Sequence, residues 1–406
     1  MASPRILTAR LVLTSSRTSY ERGGVLVHSG QIAKVLDSPL AVERAVRETG
    51  AELTDLGDRV LTPGLVNAHA HLELSDTRGR LDGSGSFPDW IQSLLMLRAE
   101  LGDARREQAF ESGARELASS GCTLVADIDS CGLASAGCGS KALRVVAYRE
   151  ALDIGDVSRR RAVLATLAED DSLEAVSPHA PYSVSPELAE SLGGLTEKRN
   201  LQLGVHWSET MEENEWLEFG RGPFAELLGS GLDSPRRTGL ELLRDSGLLH
   251  DRVALYHGNH PGPNEIDLVR DSGASLVHCP GTHAFFGREA FPLERWRHAG
   301  VNVALGTDSL ASNESLDMLR ELRLLRASFP SLQPDECFRM ATENGARALG
   351  LADKAGSLRA GAWADFAVFE TEERELSGVL DELTSGRANP CGTWIGGEPV
   401  SCEDQP

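Results

Sequence analysis

Along roughly the first 60 residues, apolar side chains recur at every second position in short runs, RILTARLVLT, GGVLVHSGQIAKVLD and RVLTPGLVNAHAH. Period-two spacing with Gly and Asp between the runs predicts strands, joined as hairpins rather than as strand–helix units. From about residue 63 the rhythm changes to an apolar β-type run followed by a helical stretch, repeated many times. Eight runs can be counted: LVNAHAHLEL, CTLVADID, RVVAYRE, LEAVSPHAPYSV, LQLGVHWSE, VALYHGNH, ASLVHCP and VNVALGTDS. The spacers, DARREQAFESGARELASSG for example, have charged, amphipathic helical spacing. Eight such units predict an α/β fold, a (β/α)8 TIM-type barrel. After ECFRMATENGARALG the chain returns to short strands, GSLRAGAWADFAVFE and GTWIGGEPVSC, with polar segments between them. The reading is a barrel over residues 63–354, with a small composite β-sandwich formed by residues 1–62 and 355–406 from both termini.

Charge and cysteine usage narrow the function classes. With 40 Lys and Arg against 61 Asp and Glu, the 406-residue chain carries −21 at pH 7. That field repels phosphate backbones and anionic membrane surfaces, which excludes nucleic acid and membrane as partners and leaves a small-molecule substrate. No run reaches the roughly 18 to 20 apolar residues of a membrane span. Arg5 and Arg10 interrupt the N-terminal apolar stretch, so no signal-peptide core forms. Seven scattered cysteines without a CxxC pair (Cys122, Cys131, Cys138, Cys279, Cys337, Cys391 and Cys402) read as reduced thiols of a cytoplasmic protein.

Nearly every barrel run ends in His, Asp or Glu, and in such barrels the site is assembled at the C-terminal strand ends. His69 and His71, one residue apart, face the same side of a strand and can share a cation; interior histidines bonded to carbonyls would look the same. His206 ends the fifth run and Asp308 the eighth; alone, Asp308 would read as a turn or cap acid. Together the four make a set of three imidazoles and one carboxylate, suited to one divalent transition metal, with Zn²⁺ the first choice and Fe²⁺ the alternative. Glu209, three residues past His206, is placed to accept and return protons, although a helix N-terminal acid is the plainer alternative. His257, after the sixth run, can polarise a substrate or stabilise developing charge. Glu73, His179 and His283 sit where substrate contacts are expected, Glu73 serving equally well as a partner to a ligand histidine. Trp207, Phe285 and Phe286 are aromatic surfaces for a purine-like ring, or core residues.

These residues and the segments LTPGLVNAHAHLEL, GVHWSE, HCPGTHAFFG, ALGTDSLASNESLDMLRELR, ATENGARALGL and GSLRAGAWADFAVFE resemble the amidohydrolase superfamily, in its cytosine, adenosylhomocysteine and aminodeoxyfutalosine deaminase-like branch. The resemblance spans nearly the whole chain. It implies a mononuclear metal on His69, His71, His206 and Asp308, a proton shuttle in Glu209, a polarising His257, and a homodimer; with a metal held there, Asp308 can take the proton of the acidified water. Binuclear members use a carboxylated lysine at the end of strand four, and LEAVSPHAPYSV contains none. The function implied is hydrolytic deamination of an amino-substituted heterocycle, first an adenine-type nucleoside such as aminodeoxyfutalosine, adenosylhomocysteine or methylthioadenosine. The rivals are opening of a cyclic amide or dechlorination of a triazine-like ring on the same scaffold, and a scaffold protein without chemistry.

Overall fold

The computed structural model describes residues 3–139, 141–229 and 232–400. All eight barrel runs form strands: Leu65–Ala70, Cys122–Asp129, Arg144–Ala151, Ala175–Pro178, Gln202–Trp207, Val253–His257, Ser275–His278 and Asn302–Leu305. They pair in parallel in chain order. The last closes on the first through a parallel bridge between Ala70 and Asp308. The Thr307 and Asp308 N–H groups donate to the His69 carbonyl at 3.2 and 3.0 Å. That closure sets two candidate ligands on adjoining strand ends.

Alternation along the strands divides the core. Ala68, Ala126, Ala175, Ala254 and Ala304 face inward around Tyr148 and Tyr256. Leucines and valines on the opposite faces pack under the helices. The covering helices carry their own boundary signals. In Pro186–Arg199, Ser185 Oγ accepts the Leu188 N–H at 3.2 Å, Pro186 opens the first turn, Lys198 and Arg199 meet the negative end, and Asn200 closes it in the left-handed conformation.

Chain ends build two further sheets. A six-stranded one sets Val60–Pro63 antiparallel to Phe366–Glu370 and parallel to Leu11–Ser15; a four-stranded one contains Arg5–Thr8, Gly24–His28, Gln31–Leu36 and Glu52–Asp55. Gly64 is the step from this sandwich into the barrel, where an added Cβ would lie 1.9 Å from Thr123 Oγ1.

Two helices depart from the strand-only expectation for these ends. Pro39–Thr49 lies between Gln31–Leu36 and Glu52–Asp55, and the latter pairs in parallel with Arg5–Thr8, so this stretch is a crossover and not a hairpin. Leu376–Ser385 fills the polar segment between the C-terminal strands and buries Val379, Leu380 and Leu383 in the same apolar layer as the barrel helices. Among the described residues six cysteines are free thiols; Cys402 lies outside them. No helix among the described residues is long and apolar enough to cross a membrane.

Candidate active site

The site is built on a floor inside the barrel mouth. Tyr256 faces inward on the sixth strand, and its ring stacks on His69 with centroids 3.8 Å apart. Gly204, on the neighbouring strand, makes room for it: a Cβ there would lie 1.9 Å from the Tyr256 hydroxyl. Next in sequence, His257 would face outward on a regular strand, but its left-handed backbone, φ 71°, turns the imidazole to the same mouth. Ser208 and Asp308 share that rare conformation, with φ 50° and 59°. Backbone energy is thus stored at three positions bordering the cluster.

Donor atoms converge above this floor. His69 Nε2 and His71 Nε2 stand 3.5 and 3.6 Å from Asp308 Oδ1. His69, His206 and His257 form a second group, and Glu209, His257 and Asp308 a third, the ligand atoms within each group lying within 4.8 Å of one another. The rings of His206 and His69 are 4.9 Å apart. His206 Nδ1 donates to the His179 carbonyl at 3.0 Å, which fixes the tautomer and leaves the Nε2 lone pair free.

Both ring nitrogens of His69, and Nε2 of His257, are buried without a hydrogen-bond partner. Unpaired buried polar atoms of this kind call for a ligand. Burial holds the His69 imidazolium down to about 4 and those of His71 and His257 well below the usual histidine range, so all three are neutral donors at physiological pH. Burial opposes charge on Asp308, yet the facing imidazoles hold its carboxyl well below the ordinary range. Neutral imidazoles with one carboxylate are the donor set that a borderline divalent cation takes, and the residues present fit it.

Glu209 sits at the edge of this cluster. Oε2 faces His257 Nε2 at 3.5 Å, and Oε1 accepts from Arg288 Nη2 at 2.7 Å. Burial pushes its carboxyl above the ordinary range while Arg288 pulls the other way. Its backbone N–H donates to Glu213 Oε2 at 2.9 Å, and its carbonyl accepts from Asn259 Nδ2 at 2.9 Å. Glu213 also receives the Ser208 N–H at 3.0 Å; its carboxyl, raised to about 8 by burial, pins this turn.

The remaining sequence-predicted residues divide. His179 stays at the mouth, 5.0 Å from the His206 ring. Ser183 Oγ donates to the Ala180 carbonyl and therefore accepts from His179 Nδ1 at 2.7 Å, so His179 keeps Nε2 as an acceptor. Glu73 lies not on the strand but in the 3-10 turn Leu72–Thr77. Arg98 Nη2 meets its Oε1 at 2.7 Å and Ser130 Oγ donates to the same atom, while Oε2 is buried without a partner.

Two of the predicted residues make other contacts. Trp207 follows inward-facing His206, so its ring is turned into the helix layer, edge-on to Trp296 at 6.2 Å. His283 Nε2 donates to the Glu289 carbonyl at 2.6 Å, a bond that secures the loop carrying Arg288. Phe286, one of the aromatic candidates, packs with Phe87 and Trp90, and the Arg288 guanidinium lies 4.4 Å from its ring centroid. Sequence patterning does not point to Arg288, Arg98, Tyr256 or Glu213.

A parallel barrel that gathers imidazoles and carboxylates at its C-terminal strand ends is a hydrolase scaffold for a divalent cation. Residues 60–400 match the amidohydrolase family, and the chain belongs to it. A 5-methylthioadenosine/S-adenosylhomocysteine deaminase of Thermococcus kodakarensis is 31% identical over 395 residues, covering 92% of this chain and 87% of that protein. Helicobacter pylori aminofutalosine deaminase, in a structure complexed with methylthio-coformycin, is 26% identical with a TM-score of 0.86, covering 98% of this chain and 100% of that one. An adenosine deaminase from Xanthomonas campestris with bound zinc shares the fold at 24% identity and a TM-score of 0.79, over 98% of this chain and 92% of that one.

Proposed function

We propose that this protein hydrolytically deaminates an adenine-type nucleoside and releases ammonia, with aminodeoxyfutalosine, adenosylhomocysteine and methylthioadenosine the first candidates. The observation that carries the reading is Glu209 beside His257 and Asp308, a buried carboxylate next to a cation-type donor set. The names of the similar deaminases support the substrate class.

His69, His71, His206 and Asp308 would hold one divalent cation, Zn²⁺ before Fe²⁺. When bound, such a cation supplies a water acidified to a pKa of about 7. Asp308 takes the proton that the attacking water loses. Protonated Glu209 gives its proton to the ring nitrogen beside the attacked carbon, then takes the proton of the newly added hydroxyl and hands it to the departing amine. The C–N bond breaks, ammonia leaves, the carbon keeps the oxygen as a carbonyl, and the proton held on Asp308 returns to Glu209. His257 faces the oxygen on which charge develops. His179 Nε2 accepts from a substrate N–H or O–H, Glu73 Oε2 accepts from sugar hydroxyls, and Phe87, Trp90 and Phe286 offer stacking surface.

The test is metal-replete protein incubated with the three nucleosides, cytosine, guanine, pterins and triazines, read by ultraviolet change and ammonia, beside elemental analysis. One metal equivalent per chain and ammonia from a nucleoside are expected. Turnover of only a cyclic amide or a halogenated ring would remove the deaminase reading. Glu209→Gln keeps shape without an ionisable group, so it should retain metal and lose about 10² to 10⁴ in kcat.

A further inference from the structure

Glu209 has its backbone pinned at both peptide groups, by Glu213 and Asn259, but its side chain depends on one neighbour. That neighbour comes from far along the chain. Arg288 lies beyond the helix Pro280–Phe285 that follows the seventh strand. Its side chain is only 7% exposed, and Glu209 is 8% exposed. The guanidinium lies over the rings of Phe286 and Phe87, 4.4 and 5.6 Å from their centroids. Its loop is held twice, by the Arg288 N–H on the His283 carbonyl at 3.2 Å and by His283 on the Glu289 carbonyl.

Among the described residues, the bond to Glu209 is the one hydrogen bond this guanidinium makes, and its Nη1 is buried without a partner. A guanidinium carries five N–H donors in a fixed fork. This one is buried, stacked and loop-anchored for a single carboxylate oxygen. Holding Oε1 also sorts the two oxygens, because Oε2 is the one turned to His257.

We propose that Arg288 is a positioning residue for the reaction: it fixes the Glu209 carboxylate in the orientation from which Oε2 exchanges protons with the substrate. The inference rests on the shuttle role given to Glu209 above. A misplacement of about 1 Å at a reacting group can cost on the order of 10²-fold in rate, and this sets the expected effect.

The experiment is a double-variant cycle of Glu209→Gln and Arg288→Met, with Arg288→Lys as the conservative change, read in two ways. In turnover, Arg288→Met should lower kcat by about 10²-fold while KM moves by less than about three-fold, and the same change added to Glu209→Gln should alter kcat by less than about three-fold. Arg288→Lys, which keeps charge without the planar fork, should fall between Met and wild type. In denaturant unfolding, which needs no substrate, the double variant should lose less midpoint than the sum of the two single variants. Equal kcat losses from Arg288→Met in both backgrounds, unchanged kcat in the single variant, or additive midpoints would overturn the proposal. Absence of nucleoside turnover by the wild-type protein would instead sink the deaminase reading, and the unfolding cycle would still decide whether the pair exists.

Discussion

Gly306 shows how much of the site depends on one missing methyl. It stands between the last barrel strand and Asp308, and a Cβ there would meet His69 Cβ at 2.8 Å and the His69 carbonyl oxygen at 2.9 Å. That carbonyl receives the N–H groups that close the barrel beside the candidate ligands. Gly306→Ala should push His69 and Asp308 apart, lowering metal content and turnover together, the latter by at least about ten-fold, since geometry and charge fail at once. Metal analysis and kcat on the purified variant check it; full metal with unchanged kcat would show that the strands absorb the methyl. At this scale the sequence is legible where alternation alone decides. His69 and His206 end strands facing inward, and the same period-two rule turns Trp207 to the opposite face. Arg288 is not legible in this way, because its approach to Glu209 depends on a helix, a left-handed Gly287 and two loop bonds that leave no spacing signature.

Between elements, one coupling is a set of buried polar bonds. Glu321, on the helix Met318–Ser328, accepts the Gly281 N–H at 2.7 Å and Asn313 Nδ2 at 2.8 Å, tying that helix to the turn after the seventh strand. Burial pushes its carboxyl from an ordinary value near 4.5 up to about 7. Because the folded-state value lies above the unfolded one, the native protein keeps a proton that the unfolded chain has already released between those values. The stability contributed by this group is therefore full below about pH 4.5 and declines as pH rises toward about 7, by on the order of 3 kcal/mol. Relative to Glu321→Gln, which does not titrate, the wild-type protein should lose about that much between pH 4.5 and 7 in urea unfolding; parallel curves would refute it. Elements are legible when a strong period runs uninterrupted, as in all eight barrel strands. The helix Pro39–Thr49 escapes a reading by period alone, although Ser38, Pro39 and Gly50 bracket it with ordinary cap signals. The period-two runs on either side outweigh those signals and extend the hairpin pattern over the whole N-terminal stretch.

At the scale of the molecule, the composite sandwich and the barrel share more than a linker. Val60–Pro63 pairs with Phe366–Glu370 one residue before the chain enters the first barrel strand. The helix Leu376–Ser385 then leaves the sandwich to cover Met318–Ser328, with Arg326 Nη1 donating to Asp381 Oδ1 at 2.6 Å and Thr384 Oγ1 at 3.1 Å. Leu383 on that helix is fully buried in the same apolar layer as Leu322 and Leu325. Removing its side chain should cost about 2 to 5 kcal/mol, the range for buried leucine truncations. The consequence for cooperativity follows from where that cost falls. A sandwich that is merely tethered would absorb the loss locally, giving a new low-temperature transition while the barrel melted unchanged. A C-terminal helix that belongs to the barrel's outer core would pass the loss to the whole protein, so that one transition moves down as a unit. Calorimetry of wild type and Leu383→Ala distinguishes the two: a single peak is expected for each, shifted lower in the variant, and a second peak in either trace would show that the termini and the barrel unfold independently.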